Sequence, residues 1–170
     1  MSKRVFLSLG SNVGDRAANL REALARLSGA GVGVRRVSSF FRTEPVGFQA
    51  QTWFINCVLE GETEKMPLRL LNTLQRIEWQ MGRRGGRRFG PRAIDLDILL
   101  YENAVVRLAK LTIPHPRLAE RRFMLIPLRE LAPHLRHPAT QRTVTEMLSE
   151  THDTSQVIRL KEDSNPSEGT

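Results

Sequence analysis

Residues 93–101 read AIDLDILLY, and this stretch constrains the fold more than any other. In an extended strand, side chains two positions apart share a face, roughly 6.6 Å apart along the chain. Ile94, Leu96 and Ile98 therefore make one apolar face, suited to a core, while Asp95 and Asp97 stand together on the other. Unneutralised, two carboxylates on a mostly covered sheet face repel each other. The local pattern leaves two solutions open. The aspartates can pair with arginines such as Arg92, or they can hold a hard cation. Mg²⁺, as one ion or as two about 4 Å apart, suits oxygen ligands at this spacing.

The preceding loop tips the balance. Residues 82–92 read GRRGGRRFGPR, with arginines at 83, 84, 87, 88 and 92 and glycines at 82, 85, 86 and 90. Arginine forks bind phosphate oxygens in bidentate fashion, and glycines allow a loop to close over a ligand. A lone arginine here would read as a solvated turn; five in one loop do not. A basic loop beside a Mg²⁺ site suits triphosphate chemistry, in which closure excludes water and offsets charge as the bond breaks. The chain contains no G-x-x-x-x-G-K-[ST] and no G-x-G-x-x-G, so phosphate binding must rest on side chains and metal.

The rest of the pattern supplies the frame. Residues 4–9 alternate as a strand, with Val5, Leu7 and Leu9 on one side. Asp15 can cap a helix over about 16–28 carrying Leu20, Leu24 and Leu27. VRRVSSFFR, 34–42, reads as a second strand and 53–63 as a third, with a Pro- and Gly-broken loop at 43–51 between them. Pro67 suits the first turn of a helix over about 67–81 whose core face is Leu70, Leu74, Ile77 and Met81, ended by Gly82. ENAVVRL offers a short hairpin partner after the aspartate strand, and three short helices follow within 111–150. Several links are too short for parallel crossovers. The expected fold is therefore α+β, a sandwich with an antiparallel or mixed sheet and helices on its faces. One domain over 1–160 is expected, with a polar, disordered tail at 161–170.

Composition bounds the partners. The 170 residues are 40% hydrophobic and 26% charged, ordinary for a globular domain, and no run is long enough to span a membrane. The basic start MSKR meets Gly10 after too short an apolar stretch for a signal peptide. One cysteine, Cys57, excludes an internal disulfide and reads as a small buried hydrophobe. A cytoplasmic location is expected. The net charge of +8 favours an anionic partner. Its concentration in one loop fits a phosphate site better than a coat of charge for nucleic acid.

FGPRAIDLDILLY resembles the 6-hydroxymethyl-7,8-dihydropterin pyrophosphokinase family of folate synthesis. LSLGSNVGDR, SSFFRTEPVG, FINCV, LQRIEWQMGR, LTIPHPRLAERRFMLIPL and ELAP follow in the family's order, over about residues 4–150. The resemblance implies a ferredoxin-like α/β/α sandwich and transfer of pyrophosphate from ATP to the pterin's hydroxymethyl group, releasing AMP. It implies Mg²⁺, two ions, on Asp95 and Asp97, with Arg83 and Arg92 joining them as catalytic residues. ATP would meet Gln75, Glu78, Arg83, Arg92, Ile98, Lys110, Leu111, Thr112, His115 and Arg121. The pterin would meet Thr43, Pro45, Val46, Phe54, Asn56, Phe89, Asp95 and Phe123, with Phe54 and Phe123 stacking on the ring and Asn56 bonding its edge. Without the resemblance, core packing is the better reading of both phenylalanines. The implied partners are these two small molecules, with no nucleic acid, no membrane and a monomeric state. Phe89 departs from the Trp or Tyr frequent in the family, Lys110 stands where some relatives have Arg, and the loop from Gly82 to Phe89 is short.

Two rivals fit less well. An RNA-binding sheet would carry an exposed aromatic run, which is absent, and the acidic pair would repel a phosphate backbone. A nucleotidyltransferase that joins a GS turn to a nearby D-x-D would not place more than eighty residues between Gly10-Ser11 and Asp95.

Overall fold

The computed structural model describes residues 1–46, 50–82 and 93–161. In chain order the elements are β1 (Lys3–Ser11), α1 (Arg16–Gly29), β2 (Val32–Val37), β3 (Phe41–Thr43), β4 (Phe54–Thr63), α2 (Pro67–Gln80), β5 (Asp95–Tyr101), β6 (Val106–Arg107) and β7 (Thr112–Ile113). A 3₁₀ turn at Leu118–Glu120, α3 (Arg122–Leu131), α4 (Val144–Glu150) and β8 (Val157–Arg159) complete the order. Six strands form one sheet in the order β5-β1-β4-β3-β8, with β2 also on β4. Every pairing in it is antiparallel. Helices cover both faces, so the expected α+β sandwich is the fold.

Alternation along β1 sorts the two layers. Val5, Leu7 and Leu9 face α1 and α2 in the main cluster, with Leu20, Leu27, Leu70, Leu74 and Ile77. Burying each such leucine contributes about 1.5–3 kcal/mol. Phe6 faces the other way, into a second cluster with Met124, Leu125 and Leu128 of α3 and Val144 and Met147 of α4. The helix ends follow local chemistry. Asp15 accepts from the Ala18 N–H at 3.0 Å to start α1, Pro67 opens α2, and Gly82, at φ +102°, follows its end. Cys57 is fully buried in the main cluster; burial pushes its thiol up to about 12, so it is an inert hydrophobe.

Three sequence readings need correction. The strand expected over 34–42 is two strands. Ser38 breaks it by donating its N–H to Val58 O at 2.8 Å and accepting the Val58 N–H on its hydroxyl at 2.9 Å. Ser39 then turns to Glu130, bonding Oε1 through both N–H and Oγ. The hairpin partner expected after the aspartate strand pairs forward instead: β6 joins β7 in a separate two-stranded sheet. The strand β8 was not expected at all; it is short and half polar, and it exists because β3 offers it an edge.

A β-bulge shapes the aspartate strand. The β1–β5 register shifts between Phe6 and Leu7, so that Phe6 faces Leu100 and Leu7 faces Ile98. Leu99 and Leu100 consequently both enter the second cluster, while Ile94, Leu96 and Ile98 stay in the main one. The α3–α4 layer thus covers the Leu99–Leu100 end of β5. Asp95 and Asp97 occupy the end this layer leaves open, where the Asp97 side chain keeps 44% of its exposure.

Candidate functional site

The open end of the sheet is a cleft of about 400 Å³ with Asp95 and Asp97 in its lining. Strand register builds its floor. Gly10 lies opposite both Asp95 on β5 and Asn56 on β4, and Ser8 lies opposite Asp97. Directly paired residues share a face, so Asp95, Gly10 and Asn56 form one row, with Asp97 and Ser8 beside it. Phe54, two before Asn56, shares that face and lines the cleft.

One wall is polar and aromatic. The Asn56 amide is buried and donates to Thr43 Oγ1 at 2.5 Å, which fixes its orientation. Thr43, Glu44 and Val46 border the same space, and Phe123, at the start of α3, stands among the lining residues while packing against the second cluster. The Arg121 guanidinium lies 5.8 Å from the Phe123 ring centroid.

The other wall comes from α2 and the 115–121 turn. Gln75 and Glu78, three apart on α2, both line the cleft. Glu78 is buried, and its Oε2 accepts the Leu96 N–H at 3.1 Å. That bond closes part of the outer edge of β5, the terminal strand, and holds the backbone between the two aspartates. His115 donates its backbone N–H to Leu99 O at 2.9 Å along the same strand. Its Nδ1 accepts the Arg117 N–H at 3.0 Å, which leaves the ring proton on Nε2, 4.0 Å from Asp97 Oδ1.

The electrostatics favour an anion on this wall. Burial first, then Arg121 and Arg117, lower His115 to about 4, so it is a neutral donor at pH 7. Burial first and Arg117 second also lower Arg121 from its usual value, against the pull of Asp97, Glu120 and Asp153. A half-buried guanidinium held in this way gains from an arriving anion. The His115 shift also gives stability a pH dependence. The folded ring titrates below its ordinary 6.5, so between about pH 6.5 and 4 the unfolded chain binds more protons. The neutral ring's contribution is complete above pH 6.5 and is lost as pH falls toward 4. Between pH 7.5 and 4, wild type should lose about 2–3 kcal/mol more stability than His115→Gln in urea titrations; parallel pH profiles would contradict the burial argument.

Several expected site residues are not among those that line this cleft. Ile98 is buried in the main cluster, as is Leu111 at its margin. Thr112 and Lys110 are exposed at and before β7, and neither these four nor Pro45 is among the residues lining the cleft. Arg83, Phe89 and Arg92 fall outside the described residues, with Arg84, Arg87 and Arg88. Conversely Ser8, Gly10, Glu44, Gln51 and Leu71 line the cleft without having been singled out. Alternation in β1 carried the signal for two of them: with Val5, Leu7 and Leu9 inward, Ser8 and Gly10 face the aspartates. Gly10 has a further reason to be glycine. A Cβ there would collide with the Asn56 amide oxygen and sit 3.3 Å from the Phe54 ring. Gly10→Ala should therefore cost about 1–3 kcal/mol as overpacking, seen as an earlier urea midpoint. An unchanged midpoint would mean that the amide swings away freely.

A carboxylate pair on the floor, a polar-aromatic wall and an anion-seeking wall meet in this one cleft of the α+β fold. The family 7,8-dihydro-6-hydroxymethylpterin-pyrophosphokinase (HPPK) matches residues 6–133, and the chain belongs to it. It is 43% identical over 141 residues to the 2-amino-4-hydroxy-6-hydroxymethyldihydropteridine pyrophosphokinase of Bacillus subtilis, covering 82% of this chain and 84% of that one. Its identity to the Aquifex aeolicus protein of the same name is 37% over 146 residues, covering 86% and 91%. A folate synthesis bifunctional protein of Arabidopsis thaliana is 45% identical over 130 residues, 76% of this chain but 27% of that longer one. The fold matches a crystal structure of Plasmodium falciparum HPPK-DHPS, wild type with pterin and p-hydroxybenzoate. That match has a TM-score of 0.69 and 16% identity, over 88% of this chain and 43% of that one.

Proposed function

We propose that this chain transfers pyrophosphate from ATP to the hydroxymethyl oxygen of 6-hydroxymethyl-7,8-dihydropterin, releasing AMP, in folate biosynthesis. The observation that carries this reading is the row Asp95–Gly10–Asn56, which sets a carboxylate beside a ring-edge amide on one sheet face. Phe54 and Phe123 offer faces to the flat pterin, and the Asn56 amide, with the backbone at Thr43, Pro45 and Val46, reads its polar edge. Gln75, Glu78, the Nε2–H of His115 and Arg121 receive the nucleotide and its phosphates. Ile98, Lys110, Leu111 and Thr112 belong to the adenosine side in this reading; Arg83, Arg92 and Phe89, which the resemblance assigns to the substrates, lie outside the described residues.

The hydroxymethyl oxygen attacks the β-phosphorus. The new O–Pβ bond forms as the bond from Pβ to the α-phosphate oxygen breaks, AMP leaves and the hydroxyl proton is lost. Asp95 and Asp97 fit Mg²⁺: both are hard oxygen donors at one cleft end, and Mg²⁺ completes its shell with water and phosphate rather than a full protein cage. Among the described residues no third acidic, His or Cys ligand joins them. Asp95 and Asp97 would hold two Mg²⁺ ions, which when bound would supply positive charge against the charge that builds up on the phosphates. His115 offers its Nε2–H and Arg121 its guanidinium to the phosphates from the same cleft. We also place the chain in the cytoplasm as a monomer, with 1–160 as one pyrophosphokinase domain. Among the described residues no helix is long and apolar enough to cross a membrane.

Incubation with ATP, Mg²⁺ and the hydroxymethyl dihydropterin should yield AMP and the pterin pyrophosphate in equal amounts. ADP instead would mean single phosphoryl transfer, and inorganic pyrophosphate would mean nucleotidyl transfer; either result overturns the reading.

A further inference from the structure

The family match ends at residue 133, yet the chain beyond it bonds to Glu44 in the cleft lining and to Glu120 and Arg122, which flank the lining residue Arg121. Thr151 Oγ1 donates to Glu120 O at 2.8 Å. Asp153 follows, and its Oδ2 accepts the Arg122 N–H at 2.8 Å while its Oδ1 accepts the Ser155 N–H at 2.9 Å. Arg122 Nε donates in return to Ser155 O at 3.1 Å. Gln156 then grips Glu44 twice: its N–H donates to Glu44 Oε1 at 2.7 Å, and its carbonyl accepts the Glu44 N–H at 3.2 Å. From there β8 runs along β3, with Val157 opposite Thr43.

These bonds meet a need on each side. Helix α3 begins at Arg122, and Arg121 before it makes no side-chain capping bond, so the first N–H groups of the helix need another acceptor. Asp153 supplies it from thirty-one residues away. The first turn of α3 carries Phe123, so whatever holds that turn aims the ring. Opposite, Thr43 ends β3, and Glu44 and Val46 follow it in the cleft lining. Gln156 holds Glu44 through both its backbone N–H and its carbonyl. Asp153 and Gln156 are three residues apart, a reach of about 10 Å at full extension. The α2 side of the cleft receives none of these bonds.

We propose that residues 151–159 form a strap that sets the spacing between the two sides of the ring-binding wall, with Asp153 as its positioning residue. The inference rests on the reading of that wall as the dihydropterin site. It assigns Asp153 no contact with substrate; Asp153 acts through Phe123 and, by way of the strap, through Glu44.

The test measures dihydropterin and Mg–ATP affinity separately, by titration of wild type, Asp153→Ala and Asp153→Asn. Asp153→Ala should weaken dihydropterin roughly fivefold to twentyfold, the scale of a lost helix cap expressed as affinity. Mg–ATP should change less than about threefold. Asp153→Asn keeps an oxygen for the Arg122 N–H and should recover most of the loss. A folded Asp153→Ala with wild-type dihydropterin affinity, or with equal losses for both ligands, overturns the proposal. If Asp153→Ala does not fold, Ser155→Pro, which removes the N–H that Asp153 Oδ1 accepts, must show the same selective loss or the proposal fails. Hydrogen exchange without ligand separates this idea from the functional reading. In Asp153→Ala, protection should fall together at 43–46 and 121–124, whatever the wall binds; loss at neither overturns the strap even if pterin binding stands.

Discussion

Replacing either Asp95 or Asp97 by alanine is expected to abolish most turnover while leaving the fold intact. AMP release should fall by roughly 10²–10³, the scale of losing one preorganised electrostatic contact to a transition state. The structure gives the reason for the separation of effects. Both side chains stand at the end of β5 that the α3–α4 layer leaves open, and Asp97 keeps 44% of its side-chain exposure. Neither carboxylate fills core volume, so the circular-dichroism melt should move little. The loss should persist in Asp97→Asn, which keeps the shape and removes the charge, and excess Mg²⁺ should restore part of the rate in the single variants. Activity unchanged in both alanine variants would sink the metal assignment and leave the ion-pair reading of the two aspartates.

Replacing Phe123 by alanine should act on one ligand alone. The ring is partly buried, packs on the second cluster and lines the cleft with Phe54 and Asn56. Stacking of a flat heterocycle on an aromatic side chain is worth about 1–3 kcal/mol. Dihydropterin affinity should therefore drop roughly tenfold to a hundredfold, with Mg–ATP affinity within about twofold of wild type. Some stability should also go, because the ring supports α3 as well as the cleft. Isothermal titration with each ligand distinguishes the roles: equal losses for both would make Phe123 a packing residue whose removal loosens the whole site.

Much of this site was legible because strand alternation is local. Period two placed Asp95 with Asp97, Phe54 with Asn56, and by the same rule Ser8 with Gly10. Gln75 and Glu78, which the resemblance named, stand three apart and so share a helix face. What alternation cannot reveal is where it stops. The bulge at Leu99 and the break at Ser38 each depend on a partner strand or side chain far away in sequence, and both move the boundary between covered and open sheet. His115 shows the same limit: its neutrality comes from burial beside Arg117 and Arg121, which no spacing rule encodes.

The family and most of the residues that face the cleft were therefore legible in the sequence alone: strand alternation set Asp95 beside Asp97, and the motifs that carry the family resemblance named the others. Tertiary structure decided the rest. It set which end of β5 the second helical layer leaves uncovered, made Gly10 the gap that admits the Asn56 amide, and gave Glu78 a backbone to hold. It also brought Asp153 and Gln156 back to Arg122 and Glu44, contacts between segments 31 and 112 residues apart. Register, bulges and cap bonds of that kind are fixed only when the strands and helices meet, because each partner's position depends on the packing of the others.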